Sequence, residues 1–290
     1  MLTRQEEEQV LARAYVPEHI VSLMSLVSKG DPFLIEDCLG LAKDDWLMII
    51  GYPLEKPFSR ERYDHVLNRA VETYRPRRLW TIGPEPPLSD SVPWTERETD
   101  HYYIYEIEKT SPPSAPLCRE VRKASEKLAI ERRQSWTAEH HALVAEFLDR
   151  VAVPERVREL YLAMPQVIGR SPSAWTIDAR GEDGTLCAFS VLDLWPRRFS
   201  AYILGAHSKT HYIAHASDLL FLEMIRFTRE QGKSAINLGL GVNEGIGRFK
   251  EKWGGRPFLK YEFRGRRHDA KKGLLLLEAL LGRWSRNKLG

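Results

Sequence analysis

Asn237, Asn243 and Glu244 stand within eight residues of one another, interleaved with Gly239, Gly241, Gly245 and Gly247 and followed by Arg248, Lys250 and Lys252. The order predicts a short strand, a glycine-broken loop and a basic helix. That puts the mouth of a strand, a helix start and several cations around one spot. Such a spot can hold an anionic carrier and expose an acyl group beside it. Glu244 can accept a proton directly or through water, and Asn243 can orient a substrate. An acidic residue in a first helical turn is also ordinary helix stabilisation. The glycines can let a substrate backbone approach closely. Neither GxGxxG nor a P-loop lysine pattern is met, and a strand-to-helix turn needing positive φ accounts for one or two of them. Arg248 and Lys252 are four apart and share a face. With Lys250 they can contact a diphosphate or an RNA backbone, although a charged run is also what a solvated face looks like. Phe249 and Trp253 read as core.

A second polar stretch, Ser208 to Ser217, precedes a long apolar helix. Free N–H groups and the helix dipole make such an end a natural anion site. Ser208, Lys209, His211 and Ser217 can add side-chain donors. The plain alternative is a helix cap at Ser217 and a polar surface loop. His211 and His215 are rival bases, because histidine titrates near neutrality.

The elements that must position these residues follow from periodicity. Ile20, Leu23, Met24 and Val27 have helical spacing over Val16–Val27, with Pro17 suited to a first turn. Phe33–Ile35 and Trp46–Ile50 read as short strands. Ser59 caps a helix whose face is Tyr63, Val66, Leu67, Ala70, Val71 and Tyr74. Arg78–Ile82 is a strand, and His101–Ile107 another. Thr110–Pro116 is a connector. A basic helix with Arg119, Arg122, Lys123 and Lys127 comes next, then two further helices. Strands at Ala174–Ala179, Thr185–Leu192 and Phe199–Leu204 follow, the first two joined by a tight turn at Gly181–Gly184. The last part is a helix (Ser217–Gln231), a strand (Ala235–Leu238), the basic helix (Asn243–Trp253) and a strand (Pro257–Phe263). Both halves run through helices, strands, a helix and a strand ending in glycine (Gly83, Gly239), as a duplicated fold would. From Arg264 to Gly290, basic residues surround Leu274–Leu277, Leu280, Leu281 and Trp284. This predicts a basic amphipathic helix, for an anionic membrane surface or RNA, or for packing across the halves.

The 290 residues are 43% hydrophobic and 29% charged, with a net charge of +3. These are the values of a soluble globular protein, and the charge is too mild to prove a nucleic-acid partner. Cys38, Cys118 and Cys187 are far apart, without metal-ligand spacing. No metal is expected. The acidic N-terminus predicts no secretory signal, and no apolar run approaches the length of a membrane span. The expected location is cytoplasmic, or peripheral to the inner face of the membrane.

The order helix-helix-strand-strand-strand-helix-strand-helix-strand resembles the GNAT acyltransferase fold. Arg119 to Ala124, Phe221 to Arg226, Asn237-Leu238-Gly239 and Arg248 to Gly255 resemble the FemAB-like branch, whose members carry two GNAT-like halves. The resemblance implies an α/β fold of two such halves, residues 1–115 and 116–265. Each is a mixed, mostly antiparallel sheet flanked by helices, and a C-terminal amphipathic helix, 266–290, follows. It also implies transfer of an acyl or aminoacyl group from acyl-CoA or aminoacyl-tRNA to an amine acceptor. Ser208, Lys209, His211, Ser217, Gly239, Gly241, Arg248 and Lys250 would bind the carrier. Asn237, Asn243 and Glu244 would face the acceptor. The site would open where the strand ending at Leu238 diverges from Phe199–Leu204. One departure is clear: the segment before the long helix lacks the glycines that cradle the pyrophosphate of coenzyme A in common GNAT enzymes. The alternative is an inactive GNAT-like adaptor for RNA or an anionic membrane surface.

Overall fold

The computed structural model describes residues 2–88 and 94–267. The described chain opens with α1 (Arg4–Arg13), a 3-10 turn at Pro17–His19 and α2 (Val21–Ser28). Strands β1 (Asp31–Ile35), β2 (Cys38–Lys43) and β3 (Trp46–Ile50) lead to α3 (Arg60–Tyr74), β4 (Arg78–Gly83) and β5 (Glu96–Glu106). Then come α4 (Ala115–Ser125), β6 (Ala129–Arg133), α5 (Ala138–Arg150) and α6 (Glu155–Arg170). The rest is β7 (Ala174–Arg180), β8 (Leu186–Asp193), β9 (Phe199–His207), α7 (Ala216–Glu230), β10 (Ala235–Leu240), α8 (Glu244–Lys252) and β11 (Arg256–Arg267).

Eleven strands form one sheet in the order β1-β2-β3-β4-β11-β5-β10-β9-β8-β7-β6. Two pairs are parallel, β3 with β4 and β9 with β10; the other adjacent pairs are antiparallel. The pattern is therefore written twice: three antiparallel strands, a helix, and a fourth strand parallel to the third. The fifth strand of each set is exchanged. β11 completes the set ending in β4, and β5 completes the set ending in β10.

Helices cover both faces. β8 is buried along its whole length, as a central strand covered twice must be. On one face α7 buries Leu219, Leu220, Phe221, Met224, Ile225 and Phe227 with Leu117, Val121 and Ala124 of α4. On the other, Leu143, Val144 and Leu148 of α5 meet Met164, Val167 and Ile168 of α6 and Ile20 and Leu23 near α2. Each large side chain so buried contributes about 1.5–3 kcal/mol. Among the described residues, no helix is long and apolar enough to cross a membrane.

Several sequence expectations change. The helix over Val16–Val27 is broken at Ile20, the residue between the 3-10 turn and α2. α1, β2 and β6 are additional elements. β10 runs past Gly239 to Leu240. The segment from Arg264 to Arg267, expected to begin the amphipathic helix, ends β11 instead, hydrogen-bonded to both β4 and β5; the remainder of that helix lies outside the described residues.

Candidate functional site

β10 pairs with β9 at only three positions, Ala235 with Phe199, Ile236 with Ser200 and Asn237 with Ala201. β9 continues to His207 on β8, while β10 continues to Leu240 on β5. The two parallel strands thus part after Asn237. Asn237 itself is buried, accepts the Gly239 N–H at 2.9 Å and donates to the Tyr15 carbonyl at 3.5 Å. It shapes the turn rather than facing solvent, which departs from the acceptor-facing role expected of it. Gly239 has φ +70°, a backbone that favours glycine, at the point where the β10–β5 register shifts.

Beyond Leu240 the chain leaves the sheet. The Gly241 N–H reaches the His101 carbonyl at 3.1 Å, and the Val242 N–H donates to Asp100 Oδ2 at 2.8 Å. A Cβ on Gly241 would stand 2.8 Å from Asp100 Oδ1, so a larger residue would displace the Asp100 carboxylate. Val242 has φ +62°, which is strained for a β-branched residue; the Asp100 contact helps to hold it. Asn243 caps α8, its Oδ1 accepting the Ile246 N–H at 3.0 Å.

A cleft of about 680 Å³ lies between β5 and the start of α8, with no β9 residue in its lining, so it opens on the β5 side of β10 and not between β10 and β9 as expected. Glu98, Asp100 and Tyr103 line one side; Gly241, Asn243, Glu244, Arg248 and Glu251 line the other. Its lining holds four carboxylates, two of them paired with guanidinium groups, which leaves it acidic. Glu98 pairs with Arg156, Glu251 accepts from the Tyr103 hydroxyl at 3.3 Å, and Glu244 pairs with Arg248 at 3.2 Å. Glu244 is 89% exposed. The structure therefore brings together Gly241, Asn243, Glu244 and Arg248.

Lys250 differs from expectation. It is 4% exposed and donates inward to the Leu240 carbonyl, with its Nζ 5.4 Å from the centre of the Tyr103 ring. Burial pushes its ammonium down to about 7, and Asp100 pulls the other way. It braces the end of β10 rather than presenting a charge to a carrier.

The Ser208–Ser217 stretch lies elsewhere. Ser208 is buried; its hydroxyl donates to Glu146 Oε2 at 2.8 Å and accepts the His211 N–H at 3.0 Å. The Lys209 N–H donates to Glu146 Oε1 at 2.5 Å. The N-cap of α7 is His215, in left-handed conformation and without a side-chain cap bond, while Ser217 is exposed within the helix. Asp218 is the group that sequence reasoning missed. Its Oδ1 accepts from Trp253 Nε1 at 2.8 Å and meets Lys252 Nζ at 2.6 Å, and its Oδ2 lies 3.0 Å from His215 Nδ1. Trp253 also stacks on Phe221 at 4.9 Å. α8, about 13 Å long, thus has its first turn in the cleft and its last turn pinned to the start of α7. A signal for Asp218 existed in its place in the first turn of a long helix.

No protein-family model matches the chain, and no curated protein matches it. Solved structures do. L-PGS from Bacillus licheniformis gives a TM-score of 0.57 at 14% identity, with 97% of each chain covered. FemX gives 0.59 at 12% identity, covering 96% of this chain and 98% of that one. A tandem GNAT protein from the clavulanic acid biosynthesis pathway, solved without AcCoA, gives 0.55 at 12%, covering 91% and 94%. At such identities the likeness is one of fold, and the fold of this chain is a tandem GNAT-like one.

Proposed function

We propose that the chain transfers an acyl or aminoacyl group from a carrier to an amine, with the amine in the acidic cleft at the end of β10. The observation that carries this is a cleft between β5 and the start of α8 lined by four carboxylates. A cationic amine is attracted there, and it must lose a proton before it can attack. Glu244, exposed in the first turn of α8, takes that proton directly or through water. Asn243 uses its Oδ1 as a helix cap and keeps its amide hydrogens for the substrate. The amine nitrogen bonds to the carbonyl carbon, the bond to the carrier oxygen or sulfur breaks, and the carrier leaves protonated. Positioning supplies much of the rate.

The halves are taken as residues 1–115 and 116–265, tied by the exchanged strands β5 and β11. Of the two donor classes, aminoacyl-tRNA is favoured. The exposed face of α4 carries Arg119, Arg122 and Lys123, and Lys127 follows its end; none is ion-paired among the described residues, which suits a phosphodiester backbone.

The test offers radiolabelled aminoacyl-tRNA or acyl-CoA together with a panel of primary amines. Amide product formed from aminoacyl-tRNA and abolished by RNase supports the proposal. A second reading, a non-catalytic adaptor, is favoured by the engagement of Ser208 and Lys209 with Glu146. It would be upheld by RNA binding without product from any donor.

A further inference from the structure

The loop between β9 and α7 contains its own anion. From Ser208 to His211, the Ser208 N–H donates to the Cys187 carbonyl at 2.8 Å and the Ser208 hydroxyl to Glu146 at 2.8 Å. The Lys209 N–H goes to Glu146 at 2.5 Å, and the His211 N–H to Ser208 Oγ at 3.0 Å. These contacts, with the Thr210 N–H, hold the Glu146 carboxyl below the usual carboxylate range, so it remains an anion near neutrality. The nearest counter-charge is Arg150, at 3.9 Å. At the following helix start a second carboxylate, Asp218, is held by the side chains of Trp253, Lys252 and His215.

In a GNAT-like fold the loop before the long helix is where a carrier's diphosphate is expected, and there it would meet these donors. We propose that Glu146 is a specificity residue: its carboxylate occupies the β9–α7 loop, excludes diphosphate-bearing thioester donors such as coenzyme A, and leaves the site to carriers whose phosphates lie elsewhere. This rests on the reading that the carrier approaches the end of β10 from the α7 side. A second negative group at this loop would meet Glu146 at contact distance, where like charges repel strongly in a partly buried setting. It would also find the N–H groups of Lys209, Thr210 and His211 engaged.

Binding of coenzyme A and of inorganic pyrophosphate is measured by titration calorimetry on the full chain. The wild type is expected to show no saturable binding. Glu146→Ser frees the Ser208 and Lys209 donors and removes the charge, and is expected to gain affinity for both probes by about tenfold or more. Glu146→Gln, which keeps the shape and an acceptor oxygen, should gain less. Glu146 lies on the surface of α5, and a circular-dichroism melt checks that both variants fold. Coenzyme A binding to the wild type that Ser208→Ala abolishes would overturn the inference, as would folded variants with no gain. The gain is read without catalysis. If the variants gain coenzyme A while no form of the protein transfers any acyl group, the inference stands and the transfer reading falls. If the wild type uses acyl-CoA with its diphosphate on this loop, the reading stands and the inference falls.

Discussion

Replacing Lys250 by Met should make the stability difference between variant and wild type depend on pH. Met fills a similar volume without a charge. In the folded protein the Lys250 amine loses its proton at about 7, against an ordinary value of 10.5. Between those values the unfolded chain binds the extra proton and the folded chain does not. Wild-type stability therefore rises with pH across this window, by at most about 1.4 kcal/mol per pH unit. Below pH 7 both states are protonated, and the full cost of burying the ammonium is present. The variant lacks this dependence, but leaves the Leu240 carbonyl without its donor, at a cost of about 1–3 kcal/mol. From pH 7 to pH 9 the wild type should gain about 2 kcal/mol on Lys250→Met, allowing for partial solvent relaxation. Urea unfolding of both proteins at pH 6, 7, 8 and 9 measures it. A difference that stays constant across that range would refute the assignment of Lys250 as a buried amine bracing β10.

Two further outcomes follow from the site. Glu244→Gln should lower turnover by about a hundredfold, within the range of general-base contributions. Its melting temperature should not change, because Glu244 is exposed; unchanged turnover would remove Glu244 from the mechanism. Asp218→Ala strips the indole N–H of Trp253 and the Lys252 ammonium of their shared acceptor. It should cost about 2–3 kcal/mol in urea unfolding. A loss below about 0.5 kcal/mol would mean that the Asp218 contacts do not hold the end of α8.

Much of the back half could be read from the chain because its elements are strongly periodic. α7, the three strands β7 to β9 and the strand-loop-helix from Ala235 follow their apolar spacing within a few residues, as does α3 behind Ser59. α1 escaped because it is polar and held mainly by its Thr3–Glu6 capping box and Val10. β6 carries charges typical of an edge strand, and β2 is interrupted by Gly40. The exchange of β5 and β11 had no local signal, since strand partners are chosen by tertiary packing. In the site, Gly241, Asn243, Glu244 and Arg248 converge because one turn carries the first three and the next turn of α8 the fourth. Lys250 was misplaced because a nine-residue helix with one aromatic and another at its C-cap does not fix its own phase; Gly247, Lys250 and Trp253 face inward together. Ser208 was misplaced because its partner Glu146 is 62 residues earlier, and no spacing rule joins them.

The most direct test of the central claim is to locate the amine. Backbone amide shifts of deuterated, nitrogen-15-labelled protein are followed while Nα-acetyl-lysine amide is titrated in. Saturable shifts are expected at Asp100, Tyr103, Val242, Asn243 and Glu244, weakened by salt as an acidic cleft requires. Shifts confined to another surface, or saturable binding that leaves the end of β10 and the start of α8 unmoved, would contradict that claim.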